Sequence, residues 1–258
     1  MNFKELKFVK MNPAGNTTIL FRNDNFDRNT SKEISRIAME KENIYAEQVG
    51  FMSENHLQMM GGEFCGNASR AFATYLAFTD NDFKKEKIYN ITCSGEDSIL
   101  SVNVRKGENP NNFFTRIKMP KNKSIEKITI NENFCCYEVI FSGITHFIVE
   151  SLPDDDIINI LTKYSQEKEY SAFGIMFFDA MHNKMIPFVK VENFEGVWEN
   201  SCGSGTTAVG YYLKKYKNIN SAKINQPGGW LEVSFENEDV FIDGPVEVVA
   251  EGKSYMNI

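Results

Sequence analysis

The sequence predicts an α+β protein made of two lobes with a similar plan. Short runs of β-branched and aromatic residues alternate with turns rich in Asn, Asp and Gly, and few segments have helical periodicity. In addition, an order of elements near residue 65 recurs near residue 202. With 258 residues, the chain can form two cores of ordinary size. We expect lobes of residues 1–120 and 121–258, and leave open whether the last strand returns to the first lobe.

Strands and helices are predicted from local patterns. The clearest strand signals are at Thr18–Phe21, Ile99–Val104, Tyr137–Phe141 and Val240–Ile242. One helix is predicted from Ser31 to about Lys41, opened by Thr30 or Ser31. A second is predicted from about Asp154 to Tyr164, where three aspartates supply the cap and a favourable charge. A sheet-rich chain with few helices indicates the α+β class.

The internal repeat places two cysteines in equivalent positions, 202 − 65 = 137 residues apart. Each copy is predicted to be a hairpin, a loop and a helix that begins at Cys-Gly. The hairpins are Gln48–Met52 with His56–Met60, and Phe173–Phe178 with Lys184–Glu192. Positions +3, +6, +7 and +10 from the cysteines predict one apolar stripe on each helix: Ala68, Ala71, Phe72 and Tyr75, and Gly205, Ala208, Val209 and Tyr212.

Composition excludes several classes of protein. The net charge of 28 − 35 = −7, without a basic run, argues against nucleic acid as a partner. Charged residues at the N-terminus and the lack of any window of ~18 apolar residues predict a cytoplasmic protein without a membrane partner. Five cysteines and three scattered histidines fit neither a disulfide framework nor a metal site.

Cys65 and Cys202 stand out because each is predicted to begin a helix. The positive end of the helix dipole and unpaired backbone N–H groups favour a thiolate there, and the same N–H groups can bind a carboxylate. Two such sites suit a reaction in which one thiolate removes a proton and the other thiol donates one. For Cys93, Cys135 and Cys136 we expect small buried apolar side chains instead.

These residues resemble motifs of the diaminopimelate epimerase superfamily, and the resemblance covers essentially the whole chain. The matching segments are Lys10–Asn16, Phe64–Asn67, Ser201–Thr206 and Gln226–Gly229. The resemblance implies two pseudo-symmetric lobes, each a mostly antiparallel sheet around a central helix, with the active site between them. It also implies catalysis without pyridoxal phosphate, other cofactors or a metal, and a homodimer.

Departures from the diaminopimelate epimerase pattern restrict the set of substrates that the resemblance implies. Phe194 replaces the Arg that clamps the far carboxylate, and Ile144, Ala172 and His56 replace three asparagines, although His146 is retained. A phenyl ring cannot replace a bidentate Arg–carboxylate contact. The chain is most similar to the histidine racemases of staphylopine-type metallophore pathways, at Asn12–Asn16, Glu47–Phe51, Glu63–Ala68 and Trp198–Thr206.

The resemblance implies that the protein interconverts L- and D-histidine, with Cys65 and Cys202 as catalytic base and acid. The expected substrate-binding residues are Asn16, Glu47, His56, Gly66, Asn67, Glu192, Gly203 and Ser204. Glu47 and Glu192 are expected to accept from the ammonium or imidazole, although an exposed structural role fits each equally well. Diaminopimelate or another amino acid as substrate, and a non-catalytic amino acid binding protein, remain open. A phenazine-biosynthesis-type isomerase is disfavoured because it lacks the cysteine pair.

Overall fold

The computed structural model describes residues 3–23, 25–131, 134–191 and 195–258. Contacts divide the chain into unit 1, residues 1–118 and 243–258, and unit 2, residues 119–242. Within the described ranges, no helix is both long and apolar enough to cross a membrane.

Unit 1 is a sheet that surrounds a helix. Its elements are β1 (Phe3–Asn12), β2 (Thr18–Arg22), α1 (Arg28–Met39), β3 (Gln48–Ser53), β4 (His56–Met59), α2 (Gly66–Thr79), β5 (Glu86–Cys93), β6 (Glu96–Lys106) and β7 (Asn112–Met119). Neighbouring strands pair in chain order from β1 to β7. Helix α2 contacts β2, β3, β5 and β6.

Unit 2 is a second sheet with its own helix. Its elements are β8 (Ser124–Ile130), β9 (Phe134–Ile140), β10 (Thr145–Val149), α3 (Asp155–Glu167), β11 (Ala172–Asp179), β12 (Lys184–Val191), β13 (Val197–Trp198), α4 (Gly203–Tyr212), a π-helical turn (Leu213–Lys217), β14 (Ser221–Gln226), β15 (Gly229–Glu236) and the start of β16 (Asp239–Asn257). The main strand order is β8-β9-β10-β11-β12-β14-β15-β16, and β13 pairs with β12. Helix α4 contacts β9, β10, β11, β14 and β15.

Strand β16 completes unit 1 with its C-terminal part. It pairs with β7 on one side and with β1 on the other, in a register that runs from Phe3 opposite Asn257 to Asn12 opposite Glu247. The eight strands therefore close on themselves, and a closed sheet leaves no unpaired edge.

Both predicted hairpins form. Strand β3 pairs antiparallel with β4, and β11 pairs antiparallel with β12. The four predicted strand segments lie within or overlap β2, β6, β9 and β16. Antiparallel pairing dominates, although the pairs β2–β3, β4–β5, β10–β11 and β12–β14 are parallel.

The predicted start of the first helix was wrong by about one turn. Helix α1 begins at Arg28 because Asp27 is its N-cap, and the Asp27 carboxylate accepts from the backbone N–H groups of Asn29 and Thr30 at 2.8 and 3.0 Å. Neither Thr30 nor Ser31 is the cap. Asp154 caps α3 as expected, and that helix continues to Glu167.

The apolar stripe predicted for α2 and α4 was too narrow. On α2 the stripe residues Ala68, Ala71 and Phe72 are buried, but so are Ser69 and Thr74. Several strands contact each of the two helices, so most of the helix side chains are buried. Small residues rather than a one-sided pattern let such a helix fit inside its sheet.

Candidate active site

Cys65 is the N-cap residue of α2. Its backbone is extended, with φ −129° and ψ 111°, and its Sγ accepts a hydrogen bond from the N–H of Ala68 at 3.4 Å. The thiol is not part of a disulfide bond and is half-buried. The sulfur thus occupies the place of a capping oxygen at the positive end of a 14-residue helix, where negative charge is favoured.

A buried guanidinium lies one turn beyond this cysteine. Arg70 is 0% exposed and donates from Nη1 to Oδ1 of Asn67 at 3.1 Å. It also donates to the Thr115 carbonyl and hydroxyl at 3.2 and 2.9 Å, and to the Pro245 carbonyl at 3.0 Å. Burial lowers the pKa of Arg70 to about 10, while the charges of Asp243 and Cys65 act in the opposite direction. The side chain of Asn67 is therefore held from within the protein.

The loop before β2 brings Asn16 and Glu47 together. The Asn12 side chain accepts from the N–H of Gly15 at 2.7 Å, and Ala14 and Gly15 have positive φ values of 56° and 99°. Asn16, 1% exposed, then donates from Nδ2 to Oε2 of Glu47 at 2.9 Å. Its Oδ1 is buried and has no hydrogen-bond partner among the described residues. A buried acceptor without a donor is uncommon, so this oxygen is available to accept a hydrogen bond from a ligand group.

His56 has a neighbour in the sheet. Its Nδ1 lies 2.8 Å from the Thr92 hydroxyl, and the two residues are paired in the β4–β5 register. The side chain is half-buried. Because this contact belongs to the strand pairing of unit 1, it gives His56 a structural role independent of any substrate.

Cys202 repeats the local geometry of Cys65 in unit 2. It is the N-cap of α4, with φ −124° and ψ 113°, and its Sγ accepts from the N–H of Gly205 at 3.4 Å. Its backbone N–H donates to Oε1 of Gln226 at 2.8 Å, and Nε2 of Gln226 donates to the Thr206 hydroxyl at 3.0 Å. The cysteine is 6% exposed, so it is buried as well as held in place by these hydrogen bonds.

Ser204 links Cys202 to a buried histidine. Its hydroxyl oxygen lies 3.5 Å from Sγ of Cys202 and 2.9 Å from Nε2 of His146. His146 is 0% exposed, and burial lowers its pKa to about 3, so the ring is neutral. Its Nδ1 has no hydrogen-bond partner among the described residues. A Cβ at Gly174 would lie 2.4 Å from that Nδ1, which explains glycine at this position.

In this environment the side chain of Cys202 is a protonated thiol. Burial raises its pKa well above the usual value, and the charge of Glu199 and a hydrogen bond with Glu199 raise it further. Hydrogen bonds from Ser204 and the Gly205 N–H act in the opposite direction. At neutral pH Cys202 is therefore suited to donate a proton.

Two of the other three cysteines are buried, as expected. Cys93 and Cys136 are 2% and 1% exposed, but Cys135 is exposed, so its prediction as a buried side chain was wrong. Cys135 and Cys136 are neighbours in β9, and successive strand residues face opposite sides of the sheet. Only one of the two can therefore point into the core.

The structure shows local contacts among some of the predicted site residues of each unit. Asn16 contacts Glu47, and Gly66 and Asn67 form the first turn of α2 behind Cys65; in unit 2, Gly203 and Ser204 do the same behind Cys202. Glu192 and Phe194 lie outside the described residues. In the part of the chain that is described, no group of three or more His, Cys, Asp or Glu could hold a metal ion.

Three residues that contact the cysteine-bearing helix starts were not predicted to do so. Arg70, which lies on α2 itself, binds Asn67, Gln226 binds the backbone N–H of Cys202, and His146 contacts Ser204. The Gln-Pro-Gly-Gly motif was the one available signal for Gln226. The others lacked any local pattern.

Known proteins resemble this chain over almost its whole length. Residues 5–255 match the model of a family described as the histidine racemase CntK N-terminal domain. A histidine racemase of Fusobacterium nucleatum subsp. nucleatum is 55% identical over 258 residues, covering 97% of each chain. A histidine racemase of Staphylococcus aureus is 26% identical over 281 residues, covering 99% of this chain and all of that one.

The fold also matches a solved structure. A hydroxyproline epimerase from Agrobacterium vitis, with bound trans-4-hydroxy-L-proline, aligns with a TM-score of 0.71 at 9% identity. The alignment covers 100% of this chain and 93% of that one. This likeness confirms the expected α+β fold class.

Proposed function

The chain belongs to the histidine racemase family of the CntK N-terminal domain, and from this premise we propose that it interconverts L- and D-histidine. The observation that carries the proposal is the repeated cysteine geometry. Neither cysteine is part of a disulfide bond, each is the N-cap of a helix, and each has an N–H to Sγ contact of 3.4 Å. A reaction that inverts one carbon needs a proton removed from one face and delivered to the other.

In the proposed mechanism, one cysteine is a thiolate base and the other a thiol acid. The thiolate removes the α-proton of histidine, and the carbon–hydrogen electron pair remains on the substrate as a carbanion conjugated with the carboxylate. The other thiol then donates its proton to the opposite face. In the reverse direction Cys65 and Cys202 exchange roles. Neither pyridoxal phosphate nor a metal takes part in these steps.

The α-carboxylate is proposed to bind at the two helix starts. The backbone N–H groups of Gly66, Asn67, Gly203 and Ser204 lie in the first turns of α2 and α4, at the positive end of each helix dipole. Charge spreads onto the carboxylate as the carbanion forms, and N–H donors at a helix start stabilise that charge. The Arg70 contact supports this role because it keeps the Asn67 side chain in place.

Asn16 and Glu47 are proposed to bind the cationic part of histidine. The unpaired buried Oδ1 of Asn16 supports this, because an ammonium or imidazole N–H would satisfy it. The carboxylate of Glu47, which Asn16 holds at 2.9 Å, adds negative charge at the same place. His56 and Glu192 remain proposed contacts.

We extend the proposal to the state of the protein in the cell. A cytoplasmic homodimer is expected from the family resemblance. A reducing compartment would also keep both catalytic thiols free.

The proposed function is tested with reduced protein and no added cofactor. L-histidine, LL-diaminopimelate and a panel of other L-amino acids are incubated separately, and enantiomers are separated by chiral chromatography. We expect D-histidine to accumulate until both enantiomers are equal. Conversion of diaminopimelate instead would contradict the proposed substrate, and no conversion of any amino acid would favour a binding protein.

A further inference from the structure

The loop that leads from β4 into Cys65 is exposed and contains two consecutive glycines. Gly61, Gly62 and Glu63 all face solvent, and Gly62 has a positive φ of 83°. Glycine can adopt many backbone conformations, so such a loop does not fix its own path. Contacts from outside the loop are therefore needed to set the direction in which the chain enters Cys65.

The turn between β5 and β6 supplies such a contact. The Ser94 hydroxyl donates to the Glu63 carbonyl at 2.9 Å and accepts from the backbone N–H of Met59 at 2.9 Å. The backbone N–H of Ser94 donates to the Leu57 carbonyl at 2.9 Å. Ser94 is thus fixed against β4, and its side chain joins that strand to the segment just before Cys65.

The next residue of the turn packs directly against the same segment. A Cβ on Gly95 would lie 2.3 Å from the backbone N of Phe64 and 2.7 Å from the carbonyl carbon of Glu63. These are main-chain atoms, which cannot rotate away as the end of a flexible side chain can. The turn and the loop are therefore in contact along their backbones, and glycine is required here, where φ is also 74°.

Unit 2 holds the loop before Cys202 by an equivalent contact. Strands β5 and β14 each follow a cysteine-bearing helix, and each forms an antiparallel hairpin with the next strand. In the second hairpin, the backbone N–H of Gly228 donates to the Asn200 carbonyl at 2.8 Å. Asn200 stands two residues before its cysteine, and so does Glu63 in unit 1. The equivalent carbonyl is therefore held in both units.

The two units differ in the donor that makes this contact. Unit 2 uses a backbone N–H, which no substitution of a side chain removes. Unit 1 uses the hydroxyl of Ser94. Substitution of Ser94 can therefore release the loop before Cys65 while the contact before Cys202 stays in place.

We propose that Ser94 is a positioning residue for racemisation, which holds the loop before Cys65 so that the thiol lies in its reactive position at the start of α2. The inference rests on the proposed function, which it deepens. Ser94 acts through the Glu63 carbonyl and takes no part in proton transfer. That carbonyl is two residues from Cys65, so a displaced loop displaces the sulfur. A misplacement of 1 Å can cost about a hundred-fold in rate.

The test is Ser94→Ala, with Ser101→Ala as the matched control. Ser101 lies in the same hairpin, where its exposed hydroxyl donates to Asn90 on the paired strand at 2.8 Å. The pH dependence of alkylation by iodoacetamide is followed for each cysteine by peptide mass spectrometry, without substrate. We expect the midpoint for Cys65 to rise by about half a pH unit in Ser94→Ala, because a displaced sulfur loses part of the favourable field of the helix start. The alkylation of Cys202, and both cysteines of Ser101→Ala, should match the wild type.

A second readout uses racemisation itself. In Ser94→Ala, kcat should fall by about ten- to a hundred-fold while KM changes less, because the substrate still binds but one thiol is misplaced. Ser94→Thr keeps a hydroxyl and should retain most of the activity. A loss in Ser94→Thr as large as that in Ser94→Ala would contradict the role of the hydroxyl.

An unchanged Cys65 midpoint in Ser94→Ala, or an equal shift in Ser101→Ala, would overturn the inference. Because the alkylation needs no substrate, its failure can be told apart from failure of the proposed function. A shifted midpoint in a protein whose wild type racemises nothing would contradict the proposed function and leave the coupling of Ser94 to Cys65 established.

Discussion

At the scale of single residues, Arg70 shows how the first helix start is held from inside. A guanidinium that is 0% exposed is unfavourable unless its donors are paired, and here they bind Asn67, Thr115 and Pro245. These contacts join α2 to β7 and to β16. The positive charge of Arg70 also interacts with Cys65, and this interaction favours the thiolate form of that cysteine.

Arg70→Met should destabilise the protein strongly. The substitution leaves the four oxygen partners of the guanidinium, on three residues, without their donor. Loss of one partner from a buried charged network costs about 3–5 kcal/mol. Urea denaturation followed by circular dichroism measures the change in the free energy of unfolding. Arg70→Lys keeps the charge with fewer donors and should lose less; equal losses in both variants would contradict the role assigned to the guanidinium fork.

At the scale of elements, helix starts are the features that the site depends on. Cysteine is an unusual N-cap residue, yet both α2 and α4 begin with one. In α1 and α3 the N-cap residue is an aspartate, whose carboxylate is a stronger hydrogen-bond acceptor than a thiol. The carboxylate caps thus stabilise their helices, whereas the thiol caps are the groups that react in the proposed mechanism.

Asp154→Ala should lower stability by about 1 kcal/mol, with a range of about 0.5–2. The Asp154 carboxylate accepts from the N–H groups of Asp156 and Ile157 at 2.8 and 3.4 Å, and alanine leaves both without a cap. Thermal unfolding compared with Asp154→Asn, which retains an acceptor, measures the effect. If asparagine proves as destabilising as alanine, the capping account of this helix fails.

The sequence predicted local features well because they depend on neighbouring residues. The hairpins around Gly50 and Ile175, the Asp154 cap and the repeated Cys-Gly helix starts all follow from patterns within a few residues. The start of α1 was wrong because two adjacent polar residues, Thr30 and Ser31, competed with the real cap at Asp27. Local patterns cannot decide between caps that lie within one turn.

Contacts between distant residues could not be predicted. Gln226 binds Cys202 across 24 positions, and Arg70 binds Pro245 across 175. Such pairs depend on how the sheet closes, for which one sequence has no periodic signal. Similarly, the stripe on α2 underestimated its burial, because strands from several directions cover ten of its fourteen residues.

At the scale of the whole molecule, the two chain ends build one unit. Residues 243–258 belong to unit 1, where β16 pairs with β1 over ten residues and carries Asp243, the partner of Arg105 at 2.6 Å. Unit 2 is formed by the continuous segment between them. Unit 1 is therefore complete only after residues 243–258 have been synthesised.

Truncation after Ile242 should prevent unit 1 from folding. It removes the strand that closes the sheet between β7 and β1 and the carbonyl of Pro245 that binds Arg70. Two exposed strand edges and an under-paired buried cation would remain. We expect insoluble protein, or loss of cooperative unfolding by circular dichroism; a truncated protein that unfolds cooperatively at the wild-type temperature would contradict this. Ser254→Ala, a small change in the same strand, is the control.

The central claim is that both thiols act on the α-carbon of histidine. It is tested most directly by proton NMR of reduced protein in D2O with L-histidine, comparing the wild type with Cys65→Ser and with Cys202→Ser. We predict that the wild type replaces the α-proton by deuterium while optical rotation decays to zero. Each variant should lose racemisation by about 10²–10⁴-fold, the contribution expected of one acid–base group. Racemisation at the wild-type rate by either variant would contradict the account.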